Sequence, residues 1–394
     1  MPPLDVSLAA LSLAAWLYLV FAHGRFWHGD QHLGAGAPPP ARWPGVVAVV
    51  PARNEADVIE RSVGSLLDQD YAGPFRVVLA DDESEDSTAG AAARAAAARL
   101  RAERLVVERT KPRPPGWVGK MWAVETGVQR ARAEAPDAEY LLLTDADVVH
   151  GPRNLARLVA KAEGEGLDLV SLMVMLRAET AWERLLVPAF VYFFQKLYPF
   201  PRVNDPRRRT AGAAGGCVLV RRAALERAGG IEALRGEIID DCALGRALKR
   251  GGPIWLGLSA SERSIRAYGG LGGVWHMVAR SAFTQLGHSW LLLAGTALAL
   301  ALLYLVPPAL VLAVPLGGSP AAGGLAAAAW IAMAASFGPT LALYGRSPWW
   351  GFALPLAGAL YAAMTLDSAR RHLRFQGAAW KGRPGAGSAA AAGR

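Results

Sequence analysis

Short apolar, β-branched runs that each stop at an acidic or polar cluster restrict this chain more than any other feature. Val46-Val47-Ala48-Val49-Val50 runs into Pro51-Ala52-Arg53-Asn54-Glu55 and then a helical pattern. Val77-Val78-Leu79-Ala80 ends in Asp81-Asp82-Glu83-Ser84-Glu85-Asp86 before an Ala-rich helix, and Tyr140-Leu141-Leu142-Leu143-Thr144 ends in Asp145-Ala146-Asp147. Strands alternating with helices imply an α/β fold with a parallel sheet, whose ligands sit beyond the carboxyl ends of the strands. The three polar clusters are therefore expected on one rim.

Alternate side chains of an extended strand share a face, so Asp145 and Asp147 are expected to converge on one spot. Two hard oxygen donors there suit Mg²⁺ or Mn²⁺, an ion that commonly completes its shell with substrate phosphates. An isolated Asp-x-Asp is also a common cap or solvated loop, and it is the company of the other clusters that favours a ligand. Together they fit a nucleotide diphosphate: carboxylates for base and ribose, helix N-termini for phosphate, and a metal at Asp145 and Asp147.

In letters and spacing, Pro51 to Glu55, Asp81 to Asp86 and Thr144 to Asp147 resemble the inverting GT-A glycosyltransferases of family 2. Within that family the chain is most similar to the hopene-associated membrane glycosyltransferases of hopanoid biosynthesis, over nearly its whole length. The resemblance implies a GT-A fold with a mostly parallel central sheet, an N-terminal transmembrane helix and C-terminal membrane helices. It also implies a nucleotide-diphosphate sugar donor, with a UDP-sugar expected, and a hopanoid or isoprenoid-type lipid acceptor. Pro51, Ala52, Arg53, Asn54, Glu55, Asp81, Asp82 and Ser84 become candidate donor contacts, and Asp147, assisted by Asp145, the candidate metal ligand.

An inverting transfer needs a carboxylate to take the acceptor hydroxyl's proton. The family places an acidic pair at a helix start, and Glu237-Ile238-Ile239-Asp240-Asp241 precedes such a helix, so Asp241 is the expected base with Asp240 beside it. Adjacent acids at a helix start are also ordinary caps. Relatives place a lysine-bearing loop beside the donor, which singles out Lys120 in Gly116-Trp117-Val118-Gly119-Lys120. They also place a small-residue stretch where backbone approaches the sugar, which singles out Gly215 and Gly216; unassisted glycines more often mark tight turns. Asn204 and Asp205 are polar neighbours that can touch donor or acceptor, or simply belong to a loop.

One departure stands out. Many members carry Gln-x-x-Arg-Trp, where this chain reads Gln285-Leu286-Gly287-His288-Ser289-Trp290. Gln285 matches, but the diphosphate-holding Arg is missing, and Arg263, Arg266 and Arg280 are the candidate substitutes.

Of the 394 residues 53% are hydrophobic, a high share, and the surplus is localised. Val6 to Ala22, Leu291 to Leu316, Ala321 to Leu343 and Trp349 to Leu366 are nearly uncharged and near membrane-spanning length. The expected map is an anchor over 1–25, a cytosolic catalytic domain over 44–264, an interfacial segment over 265–290, membrane helices over 291–367 and a basic tail over 368–394. Placing both the catalytic domain and Arg370-Arg371 on the cytosolic side of the cell membrane requires an even number of C-terminal crossings, so two are expected, with Trp349 to Leu366 partly interfacial and Pro307, Pro308 and Pro355 as break points. The aromatic stretch Trp182 to Phe200 fits either the lipid headgroups or the core. A net charge of +9 comes without a nucleic-acid motif and suits anionic lipid. Cys217 and Cys242 lack zinc-ligand spacing and are expected to be reduced structural residues. Two other readings stay open: a polyprenyl-phosphate glycosyltransferase or polysaccharide synthase, and a catalytically silent membrane protein that binds a nucleotide sugar.

Overall fold

The computed structural model describes residues 3–34, 38–374, 379–380 and 383–384. The tail over 385–394, expected to be mobile, and Lys381 and Gly382 lie outside the described residues. The apolar runs form strands β1 (Val46–Ala52), β2 (Phe75–Asp81), β3 (Leu105–Arg109), β4 (Tyr140–Thr144), β5 (Val148–Val149), β6 (Leu169–Met175), β7 (Cys217–Arg221) and β8 (Ile254–Ser264). They make one sheet in the order β3-β2-β1-β4-β7-β6-β8-β5. Pairings β1/β2, β1/β4, β2/β3 and β6/β8 are parallel, and β4/β7, β6/β7 and β5/β8 antiparallel. The expected mostly parallel α/β sheet is thus present, with a reversed strand at its centre.

That reversal positions the site. Thr144, the last residue of β4, pairs with Cys217, the first of β7, so Gly215 and Gly216 run in beside Asp145. On the other flank Ala52 pairs with Asp81, which aligns the ends of β1 and β2. The β1 and β4 side chains are almost wholly buried, as strands covered on both faces should be.

The chain divides into two compact units. The sheet unit comprises Gln31–Arg177 and Arg202–Ala267. Residues 178–201, which the sequence map puts inside the catalytic segment 44–264, belong instead to the other unit, with the chain up to Asp30 and the described residues 268–374. There the aromatic stretch is a helix, Ala181–Leu197, started by a Thr180–Glu183 capping box and burying Leu186, Val187, Tyr192 and Phe193. Tyr192, Phe193 and Phe200 are buried within this unit, whereas Trp182 stays exposed.

Four helical stretches in this unit are long and apolar enough to cross a membrane: Leu4–Phe21, Trp290–Leu316, Pro320–Leu343 and Pro348–Leu373. By length and composition all three C-terminal segments qualify, one more than expected. Pro355 starts a helix rather than breaking one. Pro307 and Pro308 follow a π-turn over Ala301–Leu305. Lacking N–H groups, they leave the carbonyls of Leu302 and Leu303, five residues before them, without main-chain donors. Ser12 Oγ donates to Leu302 O at 2.9 Å and Trp16 Nε1 to Leu303 O at 2.9 Å, so two side chains one helical turn apart repair the break.

Helix Gly119–Glu134, which carries Lys120 at its first turn, lies against β1 and β2. A Cβ on Gly127 would fall 2.4 Å from Val49 Cγ1 and 3.3 Å from Ala80 Cβ. Ala normally gains up to about 1 kcal/mol over Gly in a helix, but overpacking typically costs about 1–3 kcal/mol. Gly127→Ala is therefore expected to lower the melting temperature of the purified protein; an unchanged or raised melting temperature would show that the helix can shift freely on the sheet.

Candidate active site

The first two polar clusters are laced to each other. Arg53 Nη1 donates to the carbonyls of Asp82 at 2.5 Å and Glu83 at 3.0 Å. Asn54, at a left-handed φ of 50°, donates its N–H to Ser84 Oγ at 3.0 Å, and its Oδ1 accepts from Glu85 N at 2.8 Å. Glu55 N donates to Thr88 Oγ1 at 2.8 Å, and Asp81 Oδ1 accepts from Ser84 N at 3.2 Å. Asp82, fully buried, accepts from Thr110 Oγ1 at 3.1 Å. Pro51 and Ala52 are the buried end of β1. These bonds hold the two loops in one conformation and present Glu55, Asp81 and Asp82 together.

The third cluster departs from expectation. β4 stops at Thr144, and residues 145–147 form a turn closed by Val148 N donating to Asp145 O at 3.2 Å. Extended-strand alternation therefore does not apply, and the two carboxylates engage different cations. Lys120 Nζ lies 3.0 Å from Asp145 Oδ1, whereas Asp147 Oδ2 lies 3.3 Å from Arg266 Nε and accepts from Ser264 Oγ at 2.5 Å. Arg266 also pairs with Glu55 at 2.7 Å. Burial opposes both charges, but Asp145 and Asp240 around Lys120, and Asp147 and Glu55 around Arg266, outweigh it and hold both cations protonated well above neutral pH. Among the described residues no group of three or more His, Cys, Asp or Glu side chains converges on a metal site. Two carboxylates on one turn, each strong enough to draw a cation, do suit a Mg²⁺ or Mn²⁺ ion that takes its remaining oxygens from a diphosphate.

Asp240 and Asp241 open helix Asp240–Lys249. Lys120 reaches Asp240 Oδ2 at 3.2 Å as well as Asp145, and so ties this pair to the turn. Asp241 Oδ2 accepts from Gly215 N at 3.0 Å and its Oδ1 from Cys242 N at 2.7 Å. Gly216 O accepts from Thr144 Oγ1 at 2.7 Å. A Cβ at Gly215 would stand in van der Waals contact with Asp241 and Lys120, filling space beside them, and one at Gly216 would meet Val174 Cγ2 at 2.9 Å. The two glycines thus let one stretch of backbone touch both acidic motifs. Pro51, Lys120, Asp145, Gly215, Asp240 and Asp241 line one small cavity. Within it, burial and then the neighbouring Asp240 charge push the Asp241 carboxyl up to about 6, against the pull of Lys120.

Gln285 belongs to the other compact unit, where its amide donates to Tyr198 Oη at 2.7 Å. Of the three substitute cations, Arg266 alone pairs with acids of the site; Arg263 is an exposed residue of β8 and Arg280 lies in the other unit. Asn204 is committed to scaffolding, bonding Gln31 Oε1 and both polar groups of the Leu256 backbone, and Asp205 pairs with Arg207. Both cysteines are buried: Cys217 Sγ accepts from Asn154 Nδ2 and Cys242 Sγ donates to Ala213 O, each at 3.6 Å.

The profile of Glycosyltransferase like family 2 matches residues 44–283. The chain belongs to that family. Succinoglycan biosynthesis protein ExoO of Rhizobium meliloti (strain 1021) is 30% identical over 168 residues, 39% of this chain; the match spans less than half of that relative, 44%. The mannosyltransferase PcManGT from Pyrobaculum calidifontis, solved in complex with GDP-Man and Mn²⁺, matches over 94% of this chain and 97% of its own at 20% identity, with a TM-score of 0.53. This likeness shows the GT-A-like fold.

Reading the sequence for family motifs misses the residues that hold them: Thr88, Thr110, Ser264 and His150. Buried His150, kept neutral by desolvation down to about 4, bonds Thr144 Oγ1 at 3.0 Å and Asn154 Nδ2 at 3.0 Å behind the turn. Single hydroxyls beyond a strand end carry no spacing signal.

A carboxyl whose folded value lies above its unfolded one is stabilising when protonated and loses that advantage as pH rises toward 6. Discounted for the part of the group still in water, the shift corresponds to about 1–2 kcal/mol. Asp241→Asn removes the ionisation together with one of the two oxygens that accept from Gly215 N and Cys242 N, so the gap in melting temperature between it and the parent protein is expected to shift in the parent's favour as pH falls from about 7.5 to about 4.5. A gap independent of pH would mean that Asp241 ionises as an ordinary exposed carboxyl.

Proposed function

We propose that this family 2 glycosyltransferase moves a sugar, with inversion, from a nucleotide-diphosphate sugar, expected to be a UDP-sugar, to a membrane lipid acceptor of the hopanoid or isoprenoid type. The observation that carries the reading is Asp241: a carboxylate in a lined cavity, held by two backbone N–H groups, with Lys120 joining its partner Asp240 to Asp145. Asp241 takes the acceptor hydroxyl's proton while that oxygen forms a bond to the anomeric carbon; the carbon–oxygen bond to the diphosphate breaks, and the diphosphate leaves with the electron pair. Glu55, Asp81 and Asp82 hold the nucleoside, and Lys120 and the Gly215–Gly216 backbone border the diphosphate and sugar. Mg²⁺ or Mn²⁺ held by Asp147, assisted by Asp145, would offset the charge on the leaving diphosphate. The four apolar helical stretches support a membrane location, and the cytosolic side for the catalytic unit rests on the positive-inside bias of the flanking basic residues. A polysaccharide-type acceptor is the second reading, favoured by the likeness to the succinoglycan biosynthesis protein.

The test is release of nucleoside diphosphate by the detergent-purified full chain, across UDP- and GDP-sugars with Mg²⁺ or Mn²⁺, with and without hopanoid lipid. Lipid-dependent release is expected, rising through about pH 6 as Asp241 ionises and falling roughly 10²–10⁴-fold in Asp241→Asn while donor binding persists. Loss of donor binding in that variant would make Asp241 structural, and an elongating sugar product would select the second reading.

A further inference from the structure

Arg266 is placed unlike any other cation of the site. It follows β8 directly, and its fork bridges two acids that the sequence keeps far apart: Nη2 to Glu55 Oε1 at 2.7 Å and Nε to Asp147 Oδ2 at 3.3 Å. The Glu55 and Asp147 side chains are 6% and 10% exposed, and the Arg266 side chain 37%. The guanidinium therefore lies on the solvent side of both carboxylates. Its own backbone is fixed, with Ile265 N donating to Asp147 O at 2.9 Å and Arg266 N to Ser264 Oγ at 3.4 Å. What remains free to move is the side chain.

A guanidinium and a divalent ion on one carboxylate repel each other, and Asp147 Oδ2 is already shared between Ser264 and Arg266. We propose that Arg266 and the divalent ion compete for Asp147, and that the displaced guanidinium takes the diphosphate the ion binds with. The proposal rests on the metal reading of Asp147 given above. A planar fork suits phosphate as well as carboxylate, and the Glu55 carboxylate that Arg266 leaves is taken up by the nucleoside it is proposed to hold. It also supplies, from the end of β8, the diphosphate cation that Gly287-His288-Ser289 lacks. Because the exchange couples two ligands through one residue, removing that residue must move their affinities in opposite directions. A purely structural arginine would weaken both, and a simple donor contact would leave the ion unaffected.

The experiment measures Mn²⁺ affinity of the detergent-purified full chain without donor, by electron paramagnetic resonance of free Mn²⁺, and UDP and GDP affinity at saturating Mn²⁺. Arg266→Gln is expected to bind Mn²⁺ roughly 5-fold tighter or more, and the preferred nucleotide roughly 10-fold weaker, as loss of a charge-assisted bond requires. Weaker or unchanged Mn²⁺ binding, or unchanged nucleotide binding, overturns the proposal. Should Arg266→Gln fail to fold, Arg266→Lys, which reaches one carboxylate at a time, is expected to show the same two signs at smaller amplitude; weaker Mn²⁺ binding there overturns it equally. Asp147→Asn separates the two levels of the argument. Loss of Mn²⁺ binding supports the metal reading by itself, whereas retained binding overturns that reading and the exchange with it.

Discussion

Grouped carboxylates at the end of a sheet must be balanced, and two cations do this for the whole site. A buried carboxylate without a partner costs several kcal/mol, so a cation can leave these acids only when another ligand, a divalent ion or a substrate group, takes its place. Lys120 stands between Asp145 and Asp240, and Arg266 between Asp147 and Glu55. The Asp145–Asp147 turn joins the two clusters through its backbone, giving one chain of alternating charge from the helix start at Asp240 to the loop after β1. Its geometry depends on the reversed strand β7. Only an antiparallel neighbour of β4 brings its beginning, rather than its end, to the acidic turn, and this is why Gly215 and Gly216 can bond Asp241 on one side and Thr144 on the other.

Much of this was legible in the sequence because it is local. β-Branched runs announce buried strands, and acids placed just past three of them fix the rim on which they meet. The acidic pair Asp240-Asp241 was legible for the same reason, since a helix start is a short-range pattern. What could not be read is whatever one residue or a distant partner decides. Ending β4 at Thr144 rather than two residues later converts strand alternation into a turn and sends Asp145 and Asp147 to different cations. Arg266 lies more than a hundred residues beyond Asp147, so its choice of partner leaves no periodic or spacing signal. Residues 178–201 sit between two stretches of the sheet unit yet pack elsewhere, because their aromatic helix finds apolar neighbours there that the contiguous domain cannot be seen to lack.

The membrane-like unit follows the opposite rule from the site. Several of its buried polar side chains are answered by other polar groups of the same unit rather than by charged partners. Tyr192 Oη shares a bond with Ser336 Oγ at 2.7 Å, Tyr361 Oη donates to Leu186 O at 3.0 Å, and Gln195 Nε2 donates to Thr340 Oγ1 at 3.2 Å. Each of these joins the aromatic helix Ala181–Leu197 to a candidate span. The helix is held by polar pins as well as by its apolar faces, and those pins fix its rotation, which apolar packing alone leaves loosely specified. The two prolines at 307 and 308 extend the logic. A break in a long apolar helix is tolerable only where side chains replace the lost donors, and Ser12 and Trp16 commit the N-terminal helix to that task. Without the two donors on Leu4–Phe21, the π-turn before the prolines would leave the Leu302 and Leu303 carbonyls unanswered, at a cost of about 1–3 kcal/mol each.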